Sequence, residues 1–410
     1  MMFPIIVLII VFVLIAVRRV GRFRVEIWQV MFAGAAAVLL SGDIGPAAAL
    51  RAIDFDVIFF LFGMFVVGAA LEMSGYLAHL EYSFFKRAKS LGQLVFFVLF
   101  GSAFASAALM NDTLAIIGTP VVLLLAKKHK MSPKLLLLTL AFGITTGSVM
   151  SPIGNPQNLL VAVNGGVAAP FITFLRYLFL PTVLNLVFAF LLLRIMYRGH
   201  FSKGALVHSQ EPIKDHYLSF LSKVSLIVMG VMVAVKILAV YLVPAANLKL
   251  TYIALAAMLP PLVFSSRRTE LLKKTDWSTL VFFAAMFILM KSVWDIGFFQ
   301  EAIASSGLEI ASTPMILSVS VVVSQLISNV PLVALYMPAI AHAGAGTPQL
   351  MALAAGSTIA GNMFILGAAS NVIIIQNAEK KAGETLTFTE FAKAGVPLTL
   401  INGIIYWIFL

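Results

Sequence analysis

Ser151-Pro152-Ile153-Gly154-Asn155-Pro156-Gln157-Asn158 lies in the middle of an apolar stretch that runs from residue 134 to residue 164. Two prolines and a glycine within five residues cannot continue a helix: proline removes a backbone donor and clashes with the preceding turn, and glycine adds backbone entropy. Asn155 followed by Pro156 is the pattern of an N-cap residue and a first helical position. The stretch therefore reads as two half-helices, the second aiming the positive end of its dipole at the break. Free carbonyls from the end of the first half-helix face the same point. Such a place suits a cation on carbonyl and Asn oxygens, or a polar or anionic solute on N–H groups.

The rest of the chain puts this break inside a bilayer. Of 410 residues, 61% are hydrophobic and 11% charged, against roughly 25% charged in a soluble domain, and the mean hydropathy is +1.03. Disorder is excluded, since it needs low hydrophobicity and high charge. A soluble enzyme is excluded because no fold of this size hides so much apolar surface. At about 20 residues per span, the length holds about ten spans. The chain has no cysteine, hence no disulfide, thiolate metal site or cysteine nucleophile. The net charge of +11 reads as the Lys/Arg excess of cytoplasmic loops and not as a nucleic-acid footprint. Met1–Val17 is followed, not preceded, by Arg18, Arg19, Arg22 and Arg24 and lacks a small-residue cleavage site. It reads as a retained first span with its N-terminus outside.

Lys and Arg gather in six connections, 18–24, 86–89, 127–134, 194–223, 267–274 and 380–393, which hold 23 of the 28 basic residues. All six are expected to be cytoplasmic. Two of them flank the apolar segment 91–126. One crossing would leave one cluster outside, and two crossings need about 40 residues plus a turn. A re-entrant hairpin fits, with its tip at Met110-Asn111-Asp112. Segment 314–340 is its counterpart, entering from the outside, with its tip at Ser328-Asn329-Val330-Pro331. The expected fold is an all-α polytopic membrane protein with about ten transmembrane helices, two re-entrant hairpins and both termini outside.

The two halves match. Asp54 through Gly75 aligns with Asp276 through Gly297; Asn111 and Pro120 align with Asn329 and Pro338; Thr145, Gly154 and Asn158 align with Thr358, Gly367 and Asn371. Each half runs span, hairpin with an Asn at its tip, then broken helix with a Gly and an Asn at the break. By the charge count the paired spans 57–73 and 278–294 run in opposite directions, so the repeats are inverted. Inverted repeats with paired broken helices point to a secondary transporter with its site near the midplane. The expected domains are scaffold helices at 1–50, a first repeat at 51–197 (hairpin 91–126, broken helix 134–164), a cytoplasmic linker at 198–222, and a second repeat with scaffold helices at 223–410 (hairpin 314–340, broken helix 349–378).

The candidate site comprises Asn111, Asp112 and Thr113 at the first tip, Gly154, Asn155 and Asn158 at the first break, Ser328 and Asn329 at the second tip, and Gly367, Ser370 and Asn371 at the second break, with Asn362 just upstream. Amides and hydroxyls offer donors and acceptors without fixed charge. A carboxylate at the depth of Asp112 costs several kcal/mol unless it is protonated or paired, so Asp112 is the expected proton-coupling group, with Thr113 or Asn158 as its hydrogen-bond partner. Sodium is the alternative coupling ion, on Asn111, Asn158, Asn329 and Asn371. Lys291 and Asp295, four residues apart, read as a local ion pair. The six histidines fall at ends or loops without metal-ligand spacing, and no cofactor is expected. Hydrolysis would need a positioned base with a nucleophile or metal, and no such set occurs, so the chain is not expected to be an enzyme.

Met110-Asn111-Asp112-Thr113, Pro152 through Asn158, Ser328-Asn329-Val330-Pro331 and Gly367-Ala368-Ala369-Ser370-Asn371-Val372 resemble the four signature regions of the ion transporter superfamily. The similarity is to the branch of arsenite efflux permeases, sodium/proton antiporters and the P protein, with divalent anion/sodium symporters more distant. It covers residues 50–408. It implies a dimer-forming scaffold domain and a transport domain working by an elevator-like motion. In the symporters, paired Ser-Asn-Thr motifs hold sodium and the substrate carboxylate; here Val330 and Val372 stand in place of the threonines. The implied activity is proton-coupled transport of a small oxyanion or its neutral acid, of arsenite or antimonite efflux type. Sodium/proton antiport and sodium- or proton-coupled dicarboxylate or anion transport are the alternatives. The implied setting is the inner membrane of a prokaryote, as a homodimer in the bilayer, with a cytoplasmic ATPase subunit as partner if the substrate is arsenite, and no nucleic acid.

Overall fold

The structure is a computed structural model and describes residues 3–17, 19–20, 23–24, 26–76, 79, 88–201, 213–242, 249–297, 309–327, 329–383 and 386–410. Apart from a ribbon of two-residue strands pairing Arg19 with Arg24, the described elements are helical. In chain order they are α1 Phe3–Val17, α2 Ile27–Leu40, α3 Pro46–Ala52, α4 Phe55–Ser74, α5 Leu91–Ala108, α6 Asn111–Lys128, α7 Pro133–Ser148, α8 Pro156–Asn164 and α9 Pro170–Met196. Then follow α10 His216–Leu242, α11 Leu250–Leu259, α12 Arg268–Lys274, α13 Trp277–Asp295, α14 Thr313–Ile327, α15 Asn329–His342, α16 Thr347–Met363, α17 Ala369–Ala382 and α18 Phe388–Phe409.

Six of these are long and apolar enough to cross a membrane: α4, α5, α9, the first 21 residues of α10, α13 and α18. Shorter apolar helices lie at Trp28–Leu40, Leu250–Phe264 and Thr313–Gln325. Local chemistry sets the ends. Asp54 caps α4 by accepting the Val57 N–H, and Asp276 caps α13 by accepting that of Thr279, so the pair aligned in sequence does the same work in both halves. Proline stands inside α6 at Pro120 and inside α15 at Pro338, nine residues after Asn111 and Asn329 respectively.

The packing follows the same order. α5 lies on α7, and α14 lies on α16; α4 packs on α11, and α13 packs on α2. α7 and α16 are buried along nearly their whole length and touch each other at the centre. A helix that is apolar all round belongs inside. α16 adds Ala352, Ala354, Ala355, Gly356 and Ser357, small residues that let neighbouring backbones approach. On α9, α10 and α18 large apolar side chains such as Leu180, Ile195, Ile227, Ile404 and Ile408 face outward, the surface a bilayer covers.

Five of the six basic connections, all but 18–24, are linked by contacts among the described residues. Lys134 pairs with Glu390, and Tyr197 lies near both charges. Phe201 packs on Gly92, just past the 86–89 cluster. Ser74, at the end of α4, accepts the N–H groups of Lys214 and Asp215. Arg267 pairs with Asp215, and Lys274 with Glu72. The Lys291–Asp295 pair read from spacing is present.

Candidate functional site

The first break joins α7 to α8. Asn155 accepts the Asn158 N–H at 2.8 Å, and its amide donates to Ser148 Oγ at 2.9 Å and Thr358 Oγ1 at 3.2 Å. Asn158 turns back on the chain. Its Nδ2 stands 3.0, 3.2 and 3.0 Å from the carbonyl oxygens of Ser148, Val149 and Ser151. It thereby gathers three carbonyls of the break, two of which, those of Ser148 and Ser151, also accept the N–H groups of Ser151 and Gly154 at 3.4 Å. A Cβ at Gly154 would stand 2.6 Å from the Ser148 carbonyl oxygen and 3.0 Å from that of Ser106, so only glycine fits.

The first hairpin tip is tied to this break. The Asn111 N–H donates to the Gly154 carbonyl at 3.0 Å. Asn111 Oδ1 in turn accepts the Asp112 N–H at 2.9 Å. Asn111 and Thr113 are buried and Asp112 is half-buried. Asp112 sits in the first turn of α6, where the helix dipole favours negative charge. The partner expected for its carboxylate is not found. Asn158 is committed to three carbonyls, and Thr113 packs against Gly68. Among the described residues no hydrogen bond or ion pair reaches the carboxylate.

The second break passes through a short 3-10 turn, Ile365–Gly367, into α17. A Cβ at Gly367 would stand 2.6 Å from the Ala360 carbonyl oxygen and 2.8 Å from Gln325 Oε1. The matched glycines thus serve the same purpose, close approach of the break to neighbouring carbonyls. Asn371 Nδ2 donates to the Gly361 carbonyl at 2.6 Å. Thr145 of α7 rests against the same Gly361. At this break and at the second tip oxygens stay open: Thr145 Oγ1, Gln325 Oε1, Asn329 Oδ1, Ser370 Oγ and Asn371 Oδ1 are buried without a hydrogen-bond partner in the protein. Ser328 lies outside the described residues. Asn362 stands apart from the break, donating to Thr146 Oγ1 at 3.0 Å and Asn402 Oδ1 at 3.1 Å.

The four asparagines named as sodium ligands therefore divide. Asn111 and Asn158 have their side-chain oxygens beside the Asp112 N–H and the Thr358 hydroxyl, while those of Asn329 and Asn371 are open. Apart from the hydroxyl of Tyr406, every buried polar side chain among the described residues is Ser, Thr, Asn or Gln. Sequence reasoning missed Gln325 as a contact to the second break and Thr358 as a contact to the first. The signal for Thr358 was present, since it matches Thr145 at the offset that also pairs the two glycines. Against the first break lies a cavity of about 700 Å³, with Leu109, Pro152 and Ile153 on one side and Phe171, Met229 and Val233 on the other. Its apolar walls suit hydrocarbon better than a charged solute.

The sequence profile of the family described as "Citrate transporter" matches residues 6–349. An uncharacterized transporter of Mycobacterium tuberculosis is 28% identical, over 95% of this chain and 93% of its own. A silicon efflux transporter of Oryza sativa is 26% identical over 90% and 89%, and the P protein of Mus musculus 24% identical over 85% and 53%. Among solved structures, the YdaH transporter of Alcanivorax borkumensis superposes with a TM-score of 0.59 at 17% identity, covering 99% of this chain and 95% of that one. MtrF of Neisseria gonorrhoeae, described as illuminating a class of antimetabolite efflux pumps, gives 0.57 at 14% identity, covering 99% and 93%.

Proposed function

The chain belongs to the citrate transporter family, within the ion transporter superfamily, and from that premise we propose that it exports a small oxyacid in its neutral form, of the arsenite or antimonite type, in exchange for protons. It is a membrane transporter with several apolar helices. One observation carries the choice of substrate class: no buried side chain among the described residues is Lys, Arg or His. A multiply charged carboxylate would need such a charge or a bound cation to offset its desolvation. A neutral acid needs only donors and acceptors, which amides and hydroxyls supply. Arsenous acid is neutral at pH 7, and so is silicic acid, the solute class suggested by the name of the rice relative.

The assigned roles are these. Asp112 carries the proton. The open oxygens of Asn329, Ser370 and Asn371 face the solute, and Asn155, Asn158 and Gly154 hold the first break in shape. The matched order of helices supports two inverted repeats moving by alternating access. The convergence of five of the six basic connections supports one cytoplasmic face. A homodimer in a prokaryotic inner membrane and, for arsenite, a cytoplasmic ATPase partner belong to the same reading.

Sodium/proton antiport is the second reading, favoured by the open oxygens of the second break, since hard cations take oxygen ligands. Vesicle transport under an imposed pH gradient separates the two, using arsenite, silicic acid, citrate, a dicarboxylate and sodium. The expected result is proton movement that needs the neutral acid. Proton movement with sodium alone would establish the antiporter instead, and uptake restricted to citrate or a dicarboxylate would overturn both.

A further inference from the structure

α9 and α18 pack together around polar side chains that neither break uses. Thr182 and Asn185 stand three residues apart on α9, and Asn402 and Tyr406 four apart on α18, spacings that place each pair on one helix face. All four are fully buried. The Tyr406 and Thr182 hydroxyls bond each other at 2.6 Å, and Asn185 lies beside the Tyr406 hydroxyl. Asn402 Oδ1 accepts from Asn362 Nδ2 at 3.1 Å, and Asn362 Nδ2 also donates to Thr146 Oγ1 at 3.0 Å. Two groups thus share one face of α18, Thr182 with Asn185 and Tyr406, and Asn402 with Asn362 and Thr146, the second reaching the central helix α7. This row is also built into both halves, since Asn185 and Asn402 are 217 residues apart, as are Thr182 and Thr399.

Three atoms of this row have no hydrogen-bond partner in the protein: Asn185 Oδ1, Asn402 Nδ2 and Asn362 Oδ1. Each orphaned buried group costs roughly 1–3 kcal/mol, so three such asparagines gathered at one interface call for a ligand. The atoms identify it. One is a donor and two are acceptors. A cation would be met by oxygens alone and an anion by N–H groups alone, whereas water answers both, and buried waters typically make about three hydrogen bonds to such groups.

We propose that the α9–α18 interface is a built hydration site, and that its waters, with the hydroxyls of Thr182, Tyr406 and Thr146, form a proton path to the centre of the protein. The path rests on the proton-coupled reading above; the hydration site does not. A proton enters by bonding to a water or hydroxyl oxygen of the row, and that oxygen releases another proton to the next water or hydroxyl. Every member ends with the number of protons it began with, and no electrons are exchanged. The amides hold the waters in line and do not ionise.

The test uses the full-length protein in proteoliposomes, with Tyr406→Phe, which deletes one hydroxyl, and the double variant Asn185→Leu/Asn402→Leu, which replaces the amides by apolar groups of similar size. Proton flux per solute moved is expected to fall by about tenfold in both, while solute counterflow at equal pH stays within about twofold, separating the path from solute binding. Flux unchanged in both variants would overturn the path. X-ray hydroxyl-radical labelling in ¹⁸O water reads the hydration site without reference to transport. The ring of Tyr406 is expected to take up label in the native protein and to lose it in the double variant. An unlabelled Tyr406 would overturn the hydration site. A native protein that moves solute without protons but labels Tyr406 would remove the path and keep the site.

Discussion

The side-chain amide of Asn155, at the break of the first half, donates to the hydroxyl of Thr358, in the central helix of the second, at 3.2 Å. Gln157 Nε2 donates to the same oxygen at 3.3 Å. One hydroxyl therefore serves two amides across the boundary between halves, at a point where all three residues are buried. Thr358→Val keeps the shape and removes the acceptor. The expected loss is roughly 1–3 kcal/mol, because Gln157 and Asn155 each lose a buried partner. Thr358→Ser, which keeps the hydroxyl, should lose about 1 kcal/mol for its methyl group. Unfolding midpoints in detergent measure both, and equal losses would show that the hydroxyl contributes nothing.

Gly154 and Gly367 make a paired prediction. A Cβ at either meets a carbonyl oxygen at 2.6 Å, and backbone cannot move aside as a flexible side chain can. Gly154→Ala and Gly367→Ala should each destabilise by roughly 1–3 kcal/mol. Gly403, with nothing near its would-be Cβ, supplies the control. Gly403→Ala should be neutral or slightly stabilising, as expected of glycine replaced inside a helix. A melting series on the three variants decides it.

Much of this was legible because breaks are written in residues with strong local rules. Pro152, Gly154 and Pro156 located the first interruption, and Asn155 took up the capping role that its place before a proline implies. The tips at Asn111 and Asn329 fell where apolar runs carry isolated amides. What the sequence could not supply was partnership. Whether Asn158 faces a solute or its own chain depends on a carbonyl ten residues back coming within 3.0 Å, which only the tertiary fold decides. The same holds for Asn185 and Asn402, lone amides in otherwise apolar spans whose meaning appears only when α9 and α18 are packed together.

Asp112 is the acidic residue placed at a hairpin tip, and no basic group pairs with it among the described residues. Asp112→Asn keeps the size and the hydrogen-bonding capacity of the side chain and removes its ability to exchange a proton. Proton-driven transport should be abolished, with folding stability changed by less than about 1 kcal/mol. Proteoliposome transport with and without a pH gradient checks this, and unchanged gradient-driven transport would take Asp112 out of the mechanism.

Outside the membrane, the Asp215 carboxyl is held below its ordinary range, first by the N–H of Leu218 and then by the Arg267 guanidinium. A depressed folded value means that the contribution to stability is complete above the unfolded value of about 3.9 and is lost as pH falls through the folded value. Asp215→Asn retains an acceptor for the Leu218 N–H but not the charge. At neutral pH it should cost no more than about 1 kcal/mol, as for an exposed ion pair, and the cost should disappear in acid. Unfolding curves between about pH 3 and pH 7 would show the native and variant proteins converging; parallel curves would count against the ion pair.

The last prediction concerns the direction in which the two tips open. Charge placement has the first hairpin entering from the cytoplasm and the second from outside. The chain has no cysteine, so single substitutions report cleanly. Asn111→Cys should react with a membrane-impermeant maleimide applied to inverted vesicles, and Ser328→Cys with the same reagent applied to right-side-out vesicles. Lys128→Cys, at the end of α6, reports in the same preparations on which side the basic connections lie. Inverted repeats require the two tips to be reached from opposite faces, because each hairpin must return its backbone to the side it came from. Labelling of both tips from one side would end the inverted-repeat reading. Labelling in the reverse sense would keep the repeat and turn the whole molecule over in the membrane, placing the converging basic connections outside.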